Sequence, residues 1–517
     1  MLQPPHLFLL LALSILGAQY ATGLVTPSLA SAPRNGTTVT DALVQEFGAH
    51  DDSLVFQGTP RYNKLNGDYL STFNSELEPV LIFLPSTSAD VAKFVKCVEP
   101  FVTLGLAYIA IRGGGQQPTP ACNNVAQGVT VDLRNMAGIT VDATANSVTL
   151  EAGVRWGTVY QTLQPLGLGV AGGRTNTNGV GGQVLSGGLS FFSSREGFIT
   201  DNVISFEVVL ASGQVVTADP TTNADLYKAM RGGGNNFGIM TKITMRTFQQ
   251  GCFYGGTVFY PPQSFPSQVD AIVNELNSPT TSETNLVISV AYSKRFEAFG
   301  GTVGLNQVYY TAPTAEPPQV LKPFTDVQPQ FDVLNSMRNM TLVDAANELT
   351  PNTKHQRVAY MNLHVKMDSD TLKSASDIYL AGIQPLLDVQ NITSSFTLQP
   401  YAESLLEKTS NNGGNVLGLD PNHGPIMSVL LLTWWDNPSD DHLVVGTVKS
   451  VLEQIKSDAS ARGTLVPFIH MNSAFDDQDV IDSYGSDNKK FLQTVSMKYD
   501  SRGLFQRGVP GGWKLFV

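Results

Sequence analysis

Apolar runs and amphipathic stretches alternate through the first part of the chain. Residues 79–85 predict a buried strand bounded by prolines, and apolar positions three and four residues apart after Ser88 predict a helix capped by that serine. The apolar run at 108–111 predicts a second buried strand, which leads directly into the glycines of 112–115. Because open α/β sheets bind ligands at strand ends, the pattern predicts a ligand loop at this point.

From residue 128 onward the pattern favours β-structure. A helix with Trp156 facing inward and a hairpin about residues 211–214 precede a change of composition near Gly255. Residues 260–460 hold longer alternating strands with helical segments between them, which predicts an antiparallel sheet with helices on one face. The expected fold class is therefore α+β. The predicted strands cover residues 129–133, 138–141, 147–151, 203–210, 215–218, 285–292, 302–310, 357–366 and 426–435.

Glycine clusters are the most distinctive motif of the chain. The tetrapeptide Arg-Gly-Gly-Gly occurs at 112–115 and again at 231–234, with further clusters at 172–173, 179–182 and 187–188 between them. Glycine permits positive φ and lets the backbone approach a ligand with its N–H groups free. The clusters indicate a large ligand with anionic parts, such as a dinucleotide, while turns in a glycine-rich β protein are the alternative. The Rossmann fingerprint and the P-loop motif are both missing.

The composition argues against a nucleic-acid-binding protein and against a metal site built from cysteines. Charged residues make up 15% of the chain, below the roughly 25% of soluble proteins, and the formal net charge is -12. Basic residues do not cluster, so we expect no nucleic-acid partner. The three cysteines, Cys97, Cys122 and Cys252, match no metal-site spacing and allow at most one disulfide, in a pairing that the sequence leaves open.

The N-terminal sequence predicts a secretory signal. An apolar run at residues 7–18 is too short for the roughly 20 residues that span a bilayer, but it has the length of a signal-peptide core. We expect cleavage to remove residues 1–23 and to leave no stable membrane anchor; a buried helix is the alternative. N-glycan acceptor tripeptides begin at Asn35, Asn339 and Asn391. These features predict a protein that is secreted or retained in the lumen of the secretory pathway.

Six motifs follow one another between Pro79 and Phe248, at residues 111–116, 129–133, 179–182, 185–190, 201–203 and 231–239. In this order they resemble the FAD-binding domain of the vanillyl-alcohol-oxidase superfamily, and within it the berberine-bridge-enzyme-like oxidoreductases. The resemblance implies a PCMH-type FAD-binding domain of two α/β subdomains and a separate substrate domain. The implied segments are an N-terminal segment at 24–75, the FAD-binding domain at 76–250, the substrate domain at 251–460 and a segment at 461–517 that returns to the FAD domain.

The resemblance also implies which residues hold FAD. The loop of Arg112, Gly113, Gly114 and Gly115 would cradle the pyrophosphate with backbone N–H groups. Arg112 itself is either a phosphate partner or one half of an ion pair in the sheet. Gly179, Gly181 and Gly182 would lie against the flavin, and the adenine side would be lined by Asp201, Val203, Gly238 and Ile239.

Two positions through which this family often attaches FAD covalently are changed. Gln116 stands where the family has His, and Thr175 stands where it has Cys. The resemblance therefore implies non-covalent FAD and a weaker oxidant; Cys122 lies at an offset that makes it a poor substitute. Asn178 replaces a small aliphatic residue that tunes oxygen access in the family. The sequence therefore does not decide whether the enzyme is an oxidase or a dehydrogenase.

The expected proton acceptor is His470. The family often has Tyr-x-Asn-Tyr here and uses its first Tyr in proton removal, whereas this chain reads His470-Met471-Asn472-Ser473. The ordinary pKa of histidine, near 6.5, suits a general base, and a histidine hydrogen-bonded at a domain interface is the alternative. Tyr484 is a second candidate, or else a buried tyrosine satisfied by a backbone carbonyl. We expect Asn472 to contact FAD.

These observations predict an FAD-dependent oxidoreductase. It would transfer a hydride from an alcohol or another small organic molecule of specialised metabolism to flavin N5, and oxygen or another acceptor would reoxidise the flavin. A secreted carbohydrate oxidase is the alternative among enzymes. A non-catalytic flavin-binding glycoprotein is the alternative of another class.

Overall fold

The computed structural model describes residues 38–351 and 356–516. The predicted signal peptide and the acceptor Asn35 lie outside the described residues. Three sheets and their helices bury two large hydrophobic clusters. One cluster lies around the first two sheets, and the other lies between the third sheet and the helices that cover it.

The first sheet contains the strand that leads into the first glycine loop. Its strands are β1 (Leu54–Phe56), β2 (Leu81–Phe83), β3 (Ile109–Arg112) and β4 (Val129–Asp132), in the order β1-β2-β4-β3, and β2, β4 and β3 are parallel. The accompanying helices are α1 (Val39–Phe47), α2 (Pro60–Asn66), α3 (Thr72–Ser75) and α4 (Ser88–Thr103). The cap of α4 is Thr87, whose side chain accepts a hydrogen bond from the Asp90 backbone, one residue before the predicted Ser88.

The second sheet is antiparallel and is centred on a strand that the sequence pattern did not predict. Its strands are β5 (Ile139–Asp142), β6 (Ser147–Glu151), β7 (Leu168–Val170), β8 (Val203–Val209), β9 (Val215–Ala218) and β10 (Ile239–Gln249). The unpredicted β10 pairs with β6, β7 and β8, and its threonines and basic residues interrupt the apolar run that would have revealed it. The helices are α5 (Trp156–Leu163), α6 (Val180–Leu185), α7 (Ser193–Glu196) and α8 (Ala224–Met230).

The third sheet confirms the predicted antiparallel sheet with helices on one face. Its strands are β11 (Phe253–Tyr260), β12 (Thr284–Ser293), β13 (Thr302–Tyr310), β14 (Arg338–Met340), β15 (Arg357–Lys366), β16 (Thr393–Tyr401), β17 (Ile426–Trp435) and β18 (Leu465–Val466), in the order β14-β11-β13-β12-β16-β17-β15-β18. The helices are α9 (Phe265–Asn277), α10 (Lys322–Thr325), α11 (Leu342–Glu348), α12 (Ser369–Gly382), α13 (Glu403–Leu406) and α14 (Asp441–Ala461). Since side chains alternate along a strand, the face away from α9, α12 and α14 is free to line a cavity.

The C-terminal segment returns to the glycine-loop region. It contains α15 (Val480–Ser483) and α16 (Ser486–Tyr499). The Thr119 hydroxyl donates to the Ala474 carbonyl at 2.8 Å, and the Asn236 side chain donates to the Trp513 carbonyl at 2.9 Å. These bonds hold the segment against the first glycine loop on one side and the second on the other.

Several surface and thiol features bear on the sequence predictions. Among the described residues, no helix has the length and apolar character to cross a bilayer, and no three potential metal ligands converge. All three cysteines are free thiols. Asn339 and Asn391 are exposed, and their glycosylation stays a prediction.

Candidate active site

One continuous cavity of about 610 Å³ lies between the glycine loops and the uncovered face of the third sheet. We call its two sides the glycine cleft and the sheet floor. The glycine cleft is lined by Gly113, Gly114, Gly115, Gln116, Thr175, Asn178, Gly179, Gly181, Gly182, Gly234 and Gly238, and it is closed by Met471, Asn472 and Trp513 of the C-terminal segment. The sheet floor is lined by Val287, Ser289, Leu305, Tyr360, Thr397, Gln399, Leu430, Leu432 and Trp434.

The glycine cleft depends on a backbone-to-backbone contact between its two loops. Gly114 follows β3, and Gly179 is the residue at which α6 begins. A Cβ on Gly114 would lie 2.7 Å from the Gly179 Cα and nearer still to its nitrogen, and a Cβ on Gly179 would meet Gly114 in the same way. Any side chain at either position would therefore force the loops apart.

Buried polar atoms in the glycine cleft fit a bound FAD. Gln117, Asn123 and Trp513 line the cavity, and their buried atoms Gln117 Oε1, Asn123 Oδ1 and Trp513 Nε1 have no hydrogen-bond partner among the described residues. Buried polar groups are rarely left unpaired, and two acceptors and one donor match the hydroxyl, amino and carbonyl groups of a flavin dinucleotide. The sequence analysis missed these residues, because isolated polar side chains outside the glycine motifs give no spacing signal.

Arg112 is not a phosphate partner. It lies in β3 next to Ile111, which lines the cavity, so its side chain points to the opposite face of the sheet. There its Nη1 lies 3.2 Å from Oδ2 of Asp132, its register partner in β4, and both side chains are almost fully buried. The phosphate role predicted for Arg112 is therefore wrong, and the alternative of an ion pair in the sheet is confirmed.

Three of the four residues predicted for the adenine side lie outside the cavity. Asp201 forms a fully buried ion pair with Arg231 at 3.1 Å, and burial raises the pKa of this carboxyl to about 6 against the effect of the arginine. Val203 and Ile239 are core residues at the starts of β8 and β10. Gly238 alone of the four lines the cavity, because the other three side chains point into the packed interior.

The two changed attachment positions do lie in the glycine cleft, together with Asn178. The Gln116 side chain donates to the Gly114 carbonyl at 3.3 Å, which folds it back onto its own loop. Cys122 also lines the cavity, but burial raises the pKa of its thiol to about 12. Since the thiolate is the reactive form, Cys122 is unsuited to form a flavin link.

His470 lies on the cavity wall, with properties that differ from the prediction. Burial, and then the positive charge of Arg174, lower its pKa to about 3, so the expected titration near 6.5 is wrong and the imidazole is neutral at working pH. Its backbone N–H donates to the Asn362 side chain at 2.9 Å, which in turn donates to the His470 carbonyl at 3.1 Å. Its Nε2 has no partner among the described residues. Asn472 accepts a hydrogen bond from the Gly188 backbone at 3.0 Å and lines the cavity, and its contact with FAD stays a prediction.

Tyr484 has a structural role instead of a catalytic one. Its hydroxyl donates to the Gly232 carbonyl at 3.2 Å, its ring stacks on Phe468, and it does not line the cavity. Burial raises its pKa well above the ordinary value for tyrosine. The prediction of a catalytic Tyr484 is wrong, and the alternative of a buried tyrosine bonded to a carbonyl is confirmed.

Comparison with known proteins agrees with this arrangement. Residues 79–219 match the model of the FAD binding domain family. A FAD-dependent monooxygenase of Fusarium proliferatum is 33% identical over 462 residues, which cover 86% of this chain and 87% of that protein. Another FAD-dependent monooxygenase, of Cochliobolus heterostrophus, is 34% identical over 420 residues, which cover 78% of this chain and 80% of that protein.

Solved structures share the fold. The xylooligosaccharide oxidase of Myceliophthora thermophila, in complex with xylobiose, superposes with a TM-score of 0.73 at 19% identity, over 93% of this chain and 100% of that chain. At this identity the likeness establishes the fold alone.

We expect the substitution Gly114→Ala to reduce bound FAD by about tenfold or more, since the new Cβ overlaps Gly179 and opens the glycine cleft. The measurement is flavin absorbance per mole of purified protein. The matched control is Gly446→Ala, which lies in α14 with no atom within 4 Å of the new Cβ. Equal FAD content in the two variants would show that the loop contact does not shape the cleft.

The neutral state of His470 predicts a pH dependence of stability. Below pH 6.5 the unfolded chain binds a proton at this histidine that the folded chain refuses until about pH 3, so its contribution to the free energy of unfolding falls with decreasing pH. The measurement is the free energy of unfolding in urea as a function of pH. Between pH 6 and pH 4, His470→Gln should reduce the slope of this free energy against pH by about 1.4 kcal/mol per pH unit. The exposed His442→Gln is the control, and equal slopes in wild type and His470→Gln would contradict a buried neutral imidazole.

Proposed function

We propose that this chain, which belongs to the berberine-bridge-enzyme-like family of FAD-linked oxidoreductases, oxidises a small and largely apolar organic molecule held on the sheet floor. The continuity of the glycine cleft with the sheet floor carries the proposal, since one cavity brings cofactor and substrate into contact. FAD, when bound in the glycine cleft, supplies the hydride acceptor.

The chain's own contribution is to bind and orient the substrate. The floor is formed by the central strands of the third sheet, which hold their side chains rigidly through long antiparallel pairings. His470 has a buried Nε2 without a partner among the described residues, and hydrogen bonds to Asn362 fix its backbone, so this nitrogen is proposed as the acceptor of a hydrogen bond from a substrate hydroxyl. The low pKa of His470 keeps the imidazole neutral, which is the form that accepts a hydrogen bond, and makes it a weak general base.

The FAD of this enzyme is proposed to be non-covalent. Gln116 and Thr175 occupy the positions where relatives of this kind often form flavin links, and both line the glycine cleft. Cys122 stays a protonated thiol. Affinity for FAD would then come from backbone groups of the loops and from the polar side chains of the cleft.

A monooxygenase reaction is the second candidate function. Relatives of at least 33% identity in Fusarium proliferatum and Cochliobolus heterostrophus carry that name. A carbohydrate oxidase is a further alternative, because the floor carries the hydroxyl and amide side chains of Ser289, Thr397 and Gln399 beside its leucine, valine and aromatic ones.

Secretion also belongs to the proposal. The apolar run at residues 7–18 and the exposed acceptors Asn339 and Asn391 support a route through the secretory pathway. Asn391 donates to Asp436 through its side-chain amide, and glycosylation there would replace that contact.

The proposed oxidation predicts that aromatic primary alcohols reduce the flavin in the absence of oxygen. We expect His470→Ala to slow flavin reduction by about tenfold at unchanged FAD content, the effect of losing one hydrogen bond that orients the substrate hydroxyl. His442→Ala is the matched control on an exposed helix face. Equal rates of flavin reduction in wild type, His470→Ala and His442→Ala would contradict the role of His470. If no aromatic primary alcohol reduces the flavin of the wild-type enzyme, the proposed substrate class is contradicted.

Oxygen-isotope labelling separates the two candidate reactions. An oxidase or dehydrogenase leaves the product free of oxygen from labelled O₂, whereas a monooxygenase incorporates one labelled atom. The expected result for the first candidate is an unlabelled product. A labelled product would contradict the oxidase or dehydrogenase reaction and support the monooxygenase reaction.

A further inference from the structure

Arg174 carries a charge that the rest of the structure does not balance. It lies between Gly173 and Thr175 and lines the cavity. Its one hydrogen bond goes to Gln399 Oε1, and among the described residues no carboxylate lies within ion-pair distance of its guanidinium. Burial lowers the pKa of Arg174, yet an arginine keeps its proton in proteins, so the charge persists.

Arg174 is half-buried, and it differs from the fully buried arginines of the described residues. Each of those has a carboxylate partner, which offsets much of the cost of removing the charge from water. The pairs are Arg112 with Asp132 at 3.2 Å, Arg231 with Asp201 at 3.1 Å, and Arg357 with Glu76 and Asp441. Arg174 therefore has the environment of a buried ion-pair partner whose carboxylate is not supplied by the chain.

The side chains around Arg174 are neutral. Tyr309 and Tyr401 lie near it in the protein interior, and burial raises the pKa of both phenols, so neither supplies a negative charge. On the cavity wall its neighbour is His470, which is uncharged. Arg174 lines the cavity, so an anion bound there can reach it.

Arg174 is tied to the substrate side of the cavity. Gln399, which accepts its hydrogen bond, belongs to β16 and lines the sheet floor. The floor runs from there along β16 to the pairing of Thr393 with Trp434, six residues and roughly 20 Å away. Leu430 and Leu432 of β17 lie between these ends, beside Ser395 and Thr397 of β16, so the floor offers leucine and hydroxyl side chains with a fixed positive charge at one end.

We propose that Arg174 binds an anionic oxygen of the substrate, so that the enzyme acts on an apolar molecule bearing a carboxylate or an ionised phenol. This rests on the proposed function, because it takes the sheet floor as the substrate site. A guanidinium in a poorly solvated wall attracts such an oxygen strongly, and its planar fork fixes the orientation of the group that it binds. Arg174 would thus select the substrate and set its register relative to the flavin.

The test compares benzoate with benzamide, its neutral isostere, by calorimetric titration of the FAD-loaded enzyme. Wild type should bind benzoate roughly tenfold to a hundredfold more tightly than benzamide, the contribution of a hydrogen bond to a charged group. Arg174→Gln should bring the two affinities together, whereas Arg174→Lys keeps most of the preference. Arg338→Gln, which changes an exposed arginine of β14 outside the cavity, is the matched control and should match wild type.

Two outcomes would overturn the proposal. One is equal affinity for benzoate and benzamide in wild type, which needs no variant and so does not depend on a variant folding. The other is a benzoate preference that Arg174→Gln leaves intact; a lowered flavin midpoint potential in the same variant would then assign the charge of Arg174 to the reduced flavin.

A second variant and a binding measurement without turnover distinguish the proposed role of Arg174 from the proposed oxidation reaction. Gln399→Leu removes the acceptor that holds Arg174, and we expect it to weaken the benzoate preference at unchanged net charge. Binding is measured without turnover. If no alcohol reduces the flavin, the function fails while the benzoate preference still stands; the converse result removes the role of Arg174 alone.

Discussion

The close approach of Gly114 to Gly179 is the constraint on which the cavity depends. Two loops from different sheets meet backbone to backbone there, and neither has room for a Cβ. The contact brings the end of β3 next to the start of α6, and this sets the wall along which a dinucleotide can lie. The same wall faces the third sheet, so the distance between cofactor and substrate sites depends on it too.

Buried ion pairs hold the two Arg-Gly-Gly-Gly loops in place. Arg112 joins β3 to β4 through Asp132, and Arg231 joins the second loop to Asp201 and also donates to backbone carbonyls of the 411–414 loop. The arginines thus stabilise the fold, while the three glycines of the first loop and Gly234 of the second line the cavity. Arg174, which follows a different glycine pair, is the arginine whose charge the cavity exposes to a ligand.

Much of the fold and the glycine cleft could be predicted from the sequence, because glycine clusters at strand ends and apolar periodicity are local signals. The direction in which a motif side chain points is not local. Arg112 and Asp201 lie in motifs that were predicted to hold FAD. Their side chains point into the interior, where each forms an ion pair. The low pKa of His470 follows from burial and from Arg174, which is far away in sequence. The strand β16, rich in serine and threonine, lacks the alternation that would have revealed the floor.

The central claim is that this cavity holds FAD by non-covalent contacts and presents it to the sheet floor. Acid precipitation of the yellow protein, purified from a secreting host, tests it most directly. We predict that all flavin moves to the supernatant, and that the refolded apoprotein regains its visible spectrum when FAD is added. Flavin that stays with the pellet would reveal a covalent link that Gln116 and Thr175 cannot form, and colourless protein that FAD does not restore would contradict the account altogether.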